Sequence, residues 1–193
     1  MRRMIFAALL AGTVATPAFA QDAAPFTGAR IEGLIGWDRS KVEDAGREDG
    51  VAYGVGVGYD FQMGGAVVGA EAEVADASTK ECGSNVFAAG DELCFKAKRD
   101  LYVGGRVGGV LGQNTLIYGK AGYTNARFGY DYDDGASGVA NFENGRNLDG
   151  IRVGAGLEHA IWPNAFLKAE YRYSNYEDGV SRHQTVAGFG FRF

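Results

Sequence analysis

Apolar and polar residues alternate with period two along most of this chain, the repeat of strands whose successive side chains point to opposite faces. In Val51-Ala52-Tyr53-Gly54-Val55-Gly56-Val57-Gly58-Tyr59-Asp60-Phe61 each odd position is large and apolar or aromatic, and each even one is Ala, Gly or Asp. Ile151 to Glu158 sets Ile, Val, Ala and Leu against Arg152, Gly154, Gly156 and Glu158, and Leu167 to Tyr173 does the same against Lys168, Glu170 and Arg172. At the C-terminus Thr185, Ala187, Phe189, Phe191 and Phe193 share one face, with Gln184, Val186, Gly188, Gly190 and Arg192 on the other. Further segments follow less cleanly. Ile31, Ile35 and Trp37 oppose Arg30, Glu32 and Asp38; Val68, Ala70, Ala72 and Val74 oppose Glu71 and Glu73; Leu101, Val103, Val107 and Leu111 oppose Arg106. Over 115–128, Ile117, Ala121 and Tyr123 face away from Lys120, but Leu116 and Phe128 break the parity, as a β-bulge in this segment would explain.

The pattern predicts eight strands, over 27–38, 50–62, 66–77, 98–111, 115–130, 148–161, 165–175 and 181–193. Their connections alternate in length. Tight turns are expected at 62–65, 112–114 and 162–164, and long loops rich in Gly, Asp, Asn and Ser at 39–49, 77–97 and 131–147. Only the loop at 176–180 is short on its side. Short turns at one end, longer loops at the other and both termini on the short side are the layout of an up-and-down antiparallel barrel of the outer-membrane type.

Alternation alone does not say which face is buried, since a soluble barrel would put its apolar face inside. Three features select a transmembrane β-barrel with charge inside. The polar face is studded with Gly54, Gly56, Gly58, Gly104, Gly108, Gly154, Gly156, Gly188 and Gly190, which a solvated face does not need but a crowded eight-stranded interior does. Several strands reach the ~9–11 residues that cross a bilayer at a tilt. Aromatics gather at the strand ends: Phe26, Tyr59, Phe61, Trp162, Phe191 and Phe193 on the turn side, Trp37, Tyr53, Tyr171 and Tyr173 towards the loops, as two interfacial girdles would. The interior then holds Glu32, Glu71, Glu73, Glu158 and Glu170 with Arg30, Arg106, Lys120, Arg152, Lys168, Arg172 and Arg192. Charges at membrane depth must be paired, so these twelve are expected to form an ion-pair network, or else to line a narrow pore.

The N-terminus adds an address. Arg2 and Arg3, the apolar stretch Ile5 to Val14 and the small residues Ala18 and Ala20 flanking Phe19 read as a signal peptide over 1–20, cleaved after Ala20, leaving a barrel domain over 21–193. Loss of the two arginines lowers the formal net charge of −5 to −7, which argues against nucleic acid as a partner. The 31 glycines against three prolines, with 46% hydrophobic residues, exclude a disordered chain.

Little of the chain reads as chemistry. The Gly-rich runs at 54–58 and 104–108 lie within strands and cannot cradle a phosphate. Asp131, Asp133 and Asp134 crowd one loop, but Gly and Glu miss the positions a calcium loop requires. Of the two histidines, His159 and His183, only His183 stands with a serine (Ser181) and an acid nearby (Glu177), the one constellation similar to a hydrolase site. Cys82 and Cys94 have no histidine close by and, in an exported chain, are expected to form a disulfide in the second long loop. No enzyme activity, cofactor or metal is expected.

The Gly-Tyr-Asp-Phe end of the second strand (58–61), the Gly-Ala-Glu-Ala-Glu run (69–73) and the terminal Gly-Phe-Gly-Phe-Arg-Phe (188–193) resemble the eight-stranded OmpA/OmpX-like porin family, in particular the outer membrane immunogenic proteins of alphaproteobacteria. The resemblance spans the whole mature chain and lacks a peptidoglycan-binding domain. It implies residence among outer-membrane lipids, and Phe193, with Phe191 and Phe189 two and four residues back, is similar to the signal read by the barrel-assembly machinery. Three functions stay open on it: a structural barrel whose loops meet an extracellular or host ligand, a narrow passive channel for small solutes, and a lipid-modifying enzyme.

Overall fold

The computed structural model describes residues 24–42, 46–77, 80–84, 92–133 and 142–193; the expected cleavage site at Ala18 and Ala20 lies outside them. Nine strands follow: β1 (Gly28–Val42), β2 (Gly46–Met63), β3 (Ala66–Ala77), β4 (Lys80–Ser84), β5 (Glu92–Leu111), β6 (Thr115–Asp133), β7 (Phe142–Trp162), β8 (Ala165–Tyr176) and β9 (Val180–Arg192). All pairings are antiparallel between chain neighbours, with β3 pairing β5 directly and β9 returning to β1 from Arg30↔Arg192 to Val42↔Val180. β4 pairs only with the upper part of β5. The sheet is thus a closed barrel of eight strands with β4 as an appendage, and closure removes the edges that lipid cannot satisfy.

The tight turns fall where the pattern puts them. Met63 pairs with Ala66 across a two-residue turn whose Gly64 has φ +60°, a conformation that glycine adopts without a Cβ clash. The long connections differ from expectation. Residues expected to be loop continue the β-ladders: β1 and β2 stay paired out to Val42↔Gly46, and β6 and β7 to Tyr132↔Phe142. Polar side chains on both faces hide a strand from a hydrophobicity pattern, because no buried face imposes alternation there.

The parity of β6 needs no bulge between 115 and 127. Leu116 is inward-facing and fully buried, on the same side as Lys120, so the apparent break is an apolar residue on the inner face. The ladder does slip, but in β5: Ala97 faces Phe128 and Asp100 faces Ala126, so two β5 residues oppose Arg127. A second slip lies at Ala160/Trp162 between β7 and β8, and elsewhere burial alternates along the strands. The 27 large hydrophobics on the outside, from Ile31 to Phe193, are exposed, while 16 charged side chains lie buried within. That polarity is inverted relative to a soluble domain and matches a barrel in lipid.

Candidate functional site

The lumen is where the chain concentrates its unusual chemistry. All twelve charged residues assigned to the interior by parity are buried. Four more join them, Asp38, Asp60, Asp100 and Arg182. Each lies on the inward parity of its strand, so the same rule locates them. They sit near the strand ends or beyond the apolar runs, where hydrophobic alternation is a weaker guide. With them the described interior holds eight acids and eight bases, and an apparent excess of cations becomes neutrality.

The network has three tiers. Nearest the short turns, Asp60 on β2 accepts from Arg30 Nε at 3.1 Å, Arg106 Nε at 2.8 Å and Arg192 Nη2 at 2.9 Å, and Glu158 on β7 accepts from Arg106 Nη1 and Arg192 Nη2 at 2.9 and 2.8 Å. In the middle, Glu32 takes Arg30 Nη1 at 2.9 Å and Lys168 Nζ at 2.7 Å, Lys120 Nζ lies 2.6 and 2.8 Å from Glu71 and Glu73, and Glu170 pairs with Arg172 and accepts from the Tyr118 hydroxyl at 2.6 Å. Towards the long hairpins, Asp100 receives Arg152 Nη2 at 2.5 Å, Arg182 Nη1 at 2.9 Å and Thr124 Oγ1 at 2.9 Å, and Asp38 receives Arg182 Nε at 2.7 Å. Arg152 Nε donates to Ser174 Oγ at 2.8 Å. Desolvating an ion pair costs several kcal/mol per ion, and only such multiple charge-assisted bonds offset it.

The inward glycines leave room for these side chains. A Cβ on Gly56 would stand 2.8 Å from Glu32 Oε1, one on Gly188 2.8 Å from Lys168 Cγ, and one on Gly156 2.7 Å from the Tyr118 hydroxyl oxygen. An alanine at any of them would force the neighbouring buried side chain to shift.

Both ends of the lumen carry apolar side chains. At the turn end Phe26 is fully buried with Val67, Leu116 and Tyr118, and Val110 packs against the group. This corrects the expectation that Phe26 is a girdle aromatic. The chain before β1 turns inward, held by Phe26 N–H to Gln62 Oε1 at 3.1 Å and by Arg192 Nη1 to the Pro25 carbonyl at 3.0 Å. At the other end Ala126, Leu148 and Tyr176 form a second cluster with Val180. The remaining girdle aromatics face outward, with Trp37, Tyr53, Tyr59, Phe61, Trp162, Tyr171, Phe191 and Phe193 exposed and Tyr173 half-buried.

The other candidates are not assembled into chemistry. His183 Nδ1 lies 2.7 Å from the Tyr171 hydroxyl and its ring packs on Tyr173 at 4.9 Å, whereas no hydrogen bond joins it to Ser181 among the described residues. His159 Nδ1 is 3.0 Å from Thr115 Oγ1, at the opposite end of the barrel. No group of His, Cys, Asp and Glu suited to a metal occurs among the described residues. Asp134 lies outside those residues. Cys82 on β4 is the direct cross-strand partner of Cys94 on β5.

Comparison with known proteins agrees with this architecture. The family described as outer membrane protein beta-barrel domain matches residues 6–193. The chain is 27% identical over 164 residues to the 31 kDa outer-membrane immunogenic protein of Brucella melitensis, covering 75% of this chain and 67% of that protein. Among solved structures, Ail, the attachment invasion locus protein of Yersinia pestis, crystallised with the heparin analogue sucrose octasulfate, superimposes with a TM-score of 0.61 at 19% identity over 86% of this chain and 99% of its own. Neisserial surface protein A gives a TM-score of 0.62 at 14% identity over 86% and 98%.

Proposed function

The chain belongs to the outer membrane protein β-barrel family and resides in the outer membrane, and from that premise we propose that it is a non-conducting structural barrel that presents its long hairpins for contact with molecules outside the cell. The observation that carries this reading is the lumen. Sixteen interlocked charges occupy its length and an apolar cluster lies at each end. An eight-stranded barrel has an interior just wide enough for its own side chains. A solute would have to break several buried ion pairs to pass.

The hairpin extensions support the second half of the proposal. β1–β2 and β6–β7 carry the ladder beyond the apolar belt, in segments whose sequence is rich in polar residues. Ail, a protein named for attachment and bound to a sulfated sugar in its crystal, puts a barrel of this architecture to surface use. In this reading residues 1–20 act as the export signal, Phe189, Phe191 and Phe193 as the address for the barrel-assembly machinery, and no residue as a catalyst.

Purified protein refolded into a planar bilayer is expected to give no discrete current steps at any moderate voltage. Reproducible steps abolished by a lumenal substitution would establish the channel instead. A change in lipid A acylation on overexpression, lost in His183→Ala, would establish the enzyme.

The reading also includes a Cys82–Cys94 disulfide. Directly paired antiparallel residues have Cα atoms ~4.5–5.5 Å apart, within disulfide reach. The bridge would close the hairpin beyond β3, contributing ~3 kcal/mol locally in the chain-entropy model. Mass spectrometry of exported protein alkylated without reduction should find both thiols protected. Reduction should leave the barrel's slow, heat-modifiable gel migration unchanged. Full alkylation of both cysteines in untreated protein would rule the bridge out.

A further inference from the structure

The chain does not enter the barrel wall directly. Residues 24–27 form a turn, closed by the Thr27 N–H donating to the Ala24 carbonyl at 3.0 Å, and send Phe26 into the turn-end mouth of the lumen. They belong to no strand. The bonds that tie them to the wall come from residues distant in sequence. On β2, Gln62 Oε1 accepts the Phe26 N–H at 3.1 Å, and the Gln62 N–H donates to Thr27 Oγ1 at 3.0 Å. On β9, Arg192 Nη1 donates to the Pro25 carbonyl at 3.0 Å, and its guanidinium lies 5.4 Å from the centre of the Phe26 ring. The ring is fully buried with Val67 of β3 and with Leu116 and Tyr118 of β6.

Arg192 makes this strap more than a stopper. It is the last residue of β9, and its Nη2 also reaches Asp60 on β2 and Glu158 on β7. The strap, for its part, is continuous with β1. Its hold on Arg192 therefore joins β1 to β9 a second time, beside the ladder that begins at Arg30↔Arg192. Gly28, the first residue of β1, has φ +131°, and a Cβ there would run into the Phe193 carbonyl oxygen, so the strap and the end of β9 cross in close contact. Parting the two strands at this end requires Phe26 to leave its pocket and Arg192 to give up both strap contacts. The same contacts set the order of events. Pro25 and Arg192 are 167 residues apart, so bringing them together carries a loop-closure cost until β9 has paired with β1, and little of it afterwards.

We propose that residues 24–27 are a latch, which docks only after β9 has zipped to β1 and then holds the seam shut from the turn side. Contacts made after the rate-limiting step of folding act on the unfolding rate and leave the folding rate alone. The latch thus contributes kinetic stability to a barrel that has already closed.

The test compares wild-type protein with F26A and with F26L, which keeps most of the apolar volume and serves where F26A does not fold. Refolding into phosphatidylcholine vesicles and unfolding in concentrated urea are each followed in time by heat-modifiable migration. F26A should unfold about a hundredfold faster or more, the scale of truncating a buried phenylalanine, while its refolding rate stays within about threefold of wild type. F26L should move the same way by less. Hydrogen exchange of the folded proteins gives the second readout. In F26A, exchange over 186–193, at the end of the seam, should rise about tenfold, while 154–161 in β7 stays at the wild-type rate, because local opening is confined to the released strands. An unchanged unfolding rate overturns the proposal. A refolding rate slowed by as much as unfolding is accelerated overturns it too, since Phe26 would then dock before closure. Equal acceleration of exchange in both segments would make Phe26 a general packing residue and overturn its role at the seam.

Discussion

Replacing Arg106 by alanine should lower the stability of the refolded barrel by about 3–5 kcal/mol, the range for breaking a buried ion pair by removing one partner. Arg106 on β5 donates to Asp60 on β2 and to Glu158 on β7, and its guanidinium lies 4.9 Å from the centre of the Tyr118 ring. Its loss leaves two buried carboxylates in the turn-end tier sharing Arg30 and Arg192. Glu71→Ala should act in the same direction by taking one carboxylate from both Lys120 and Arg30 and leaving the buried network with an uncompensated positive charge. The measurement is the urea midpoint of each variant in detergent micelles, with Arg39→Ala as the exposed comparison, whose shift should lie within experimental scatter because its pair with Asp49 is in solvent. If Arg106→Ala and Glu71→Ala unfold at the wild-type midpoint, water already enters the lumen and the packed-core reading fails. Conductance in the same variants would then be the next quantity to measure.

Most of the barrel is legible in the sequence because a single physical rule writes it. Lipid outside and a crowded polar interior force alternation on every residue between the two interfaces, so Val51 to Phe61 and Leu167 to Tyr173 declare both their strands and their faces. The rule fails where its cause is missing. Beyond the apolar belt, as in Arg39-Ser40-Lys41 or Asn144-Gly145-Arg146, successive positions lack an apolar alternation, and strand and loop look alike in hydrophobicity. It misleads at Leu116 and Phe26, where apolar side chains face inward to close the lumen rather than outward to meet lipid. Parity gives the twelve interior charges but not their partners, since pairing depends on the stagger between strands. Asp60 shows the difference: its sequence position says only that it points inward, whereas the register brings three arginines from β1, β5 and β9 onto one carboxylate.

Removal of Phe193 should separate assembly from stability. The Phe193 N–H donates to the Ala29 carbonyl at 2.8 Å, and Gly28, with φ +131°, admits the passing C-terminal backbone, since a Cβ there would stand 2.1 Å from the Phe193 carbonyl oxygen. That main-chain bond extends the β1–β9 seam by one step, while the ring itself is 80% exposed. Phe189 and Phe191 pack edge-to-face at 5.1 Å and anchor this interface without it. The folded barrel therefore loses one seam hydrogen bond and little packing, of order 1 kcal/mol. A terminal aromatic that contributes so little to the finished structure is best placed to be read before the barrel closes, while β9 is still a free edge. Protein lacking Phe193 is expected to refold in detergent with a urea midpoint close to wild type. In cells it should accumulate unfolded in the periplasm or be degraded, with the heat-modifiable, membrane-inserted form reduced several-fold or more. Phe193→Tyr, which keeps the aromatic ring and the main-chain bond, should restore insertion, whereas Phe193→Ala, which keeps only the bond, should not. Normal insertion of Phe193→Ala would make the ring an interfacial anchor only, and a large loss of midpoint on refolding the truncated chain would place its role in the seam instead.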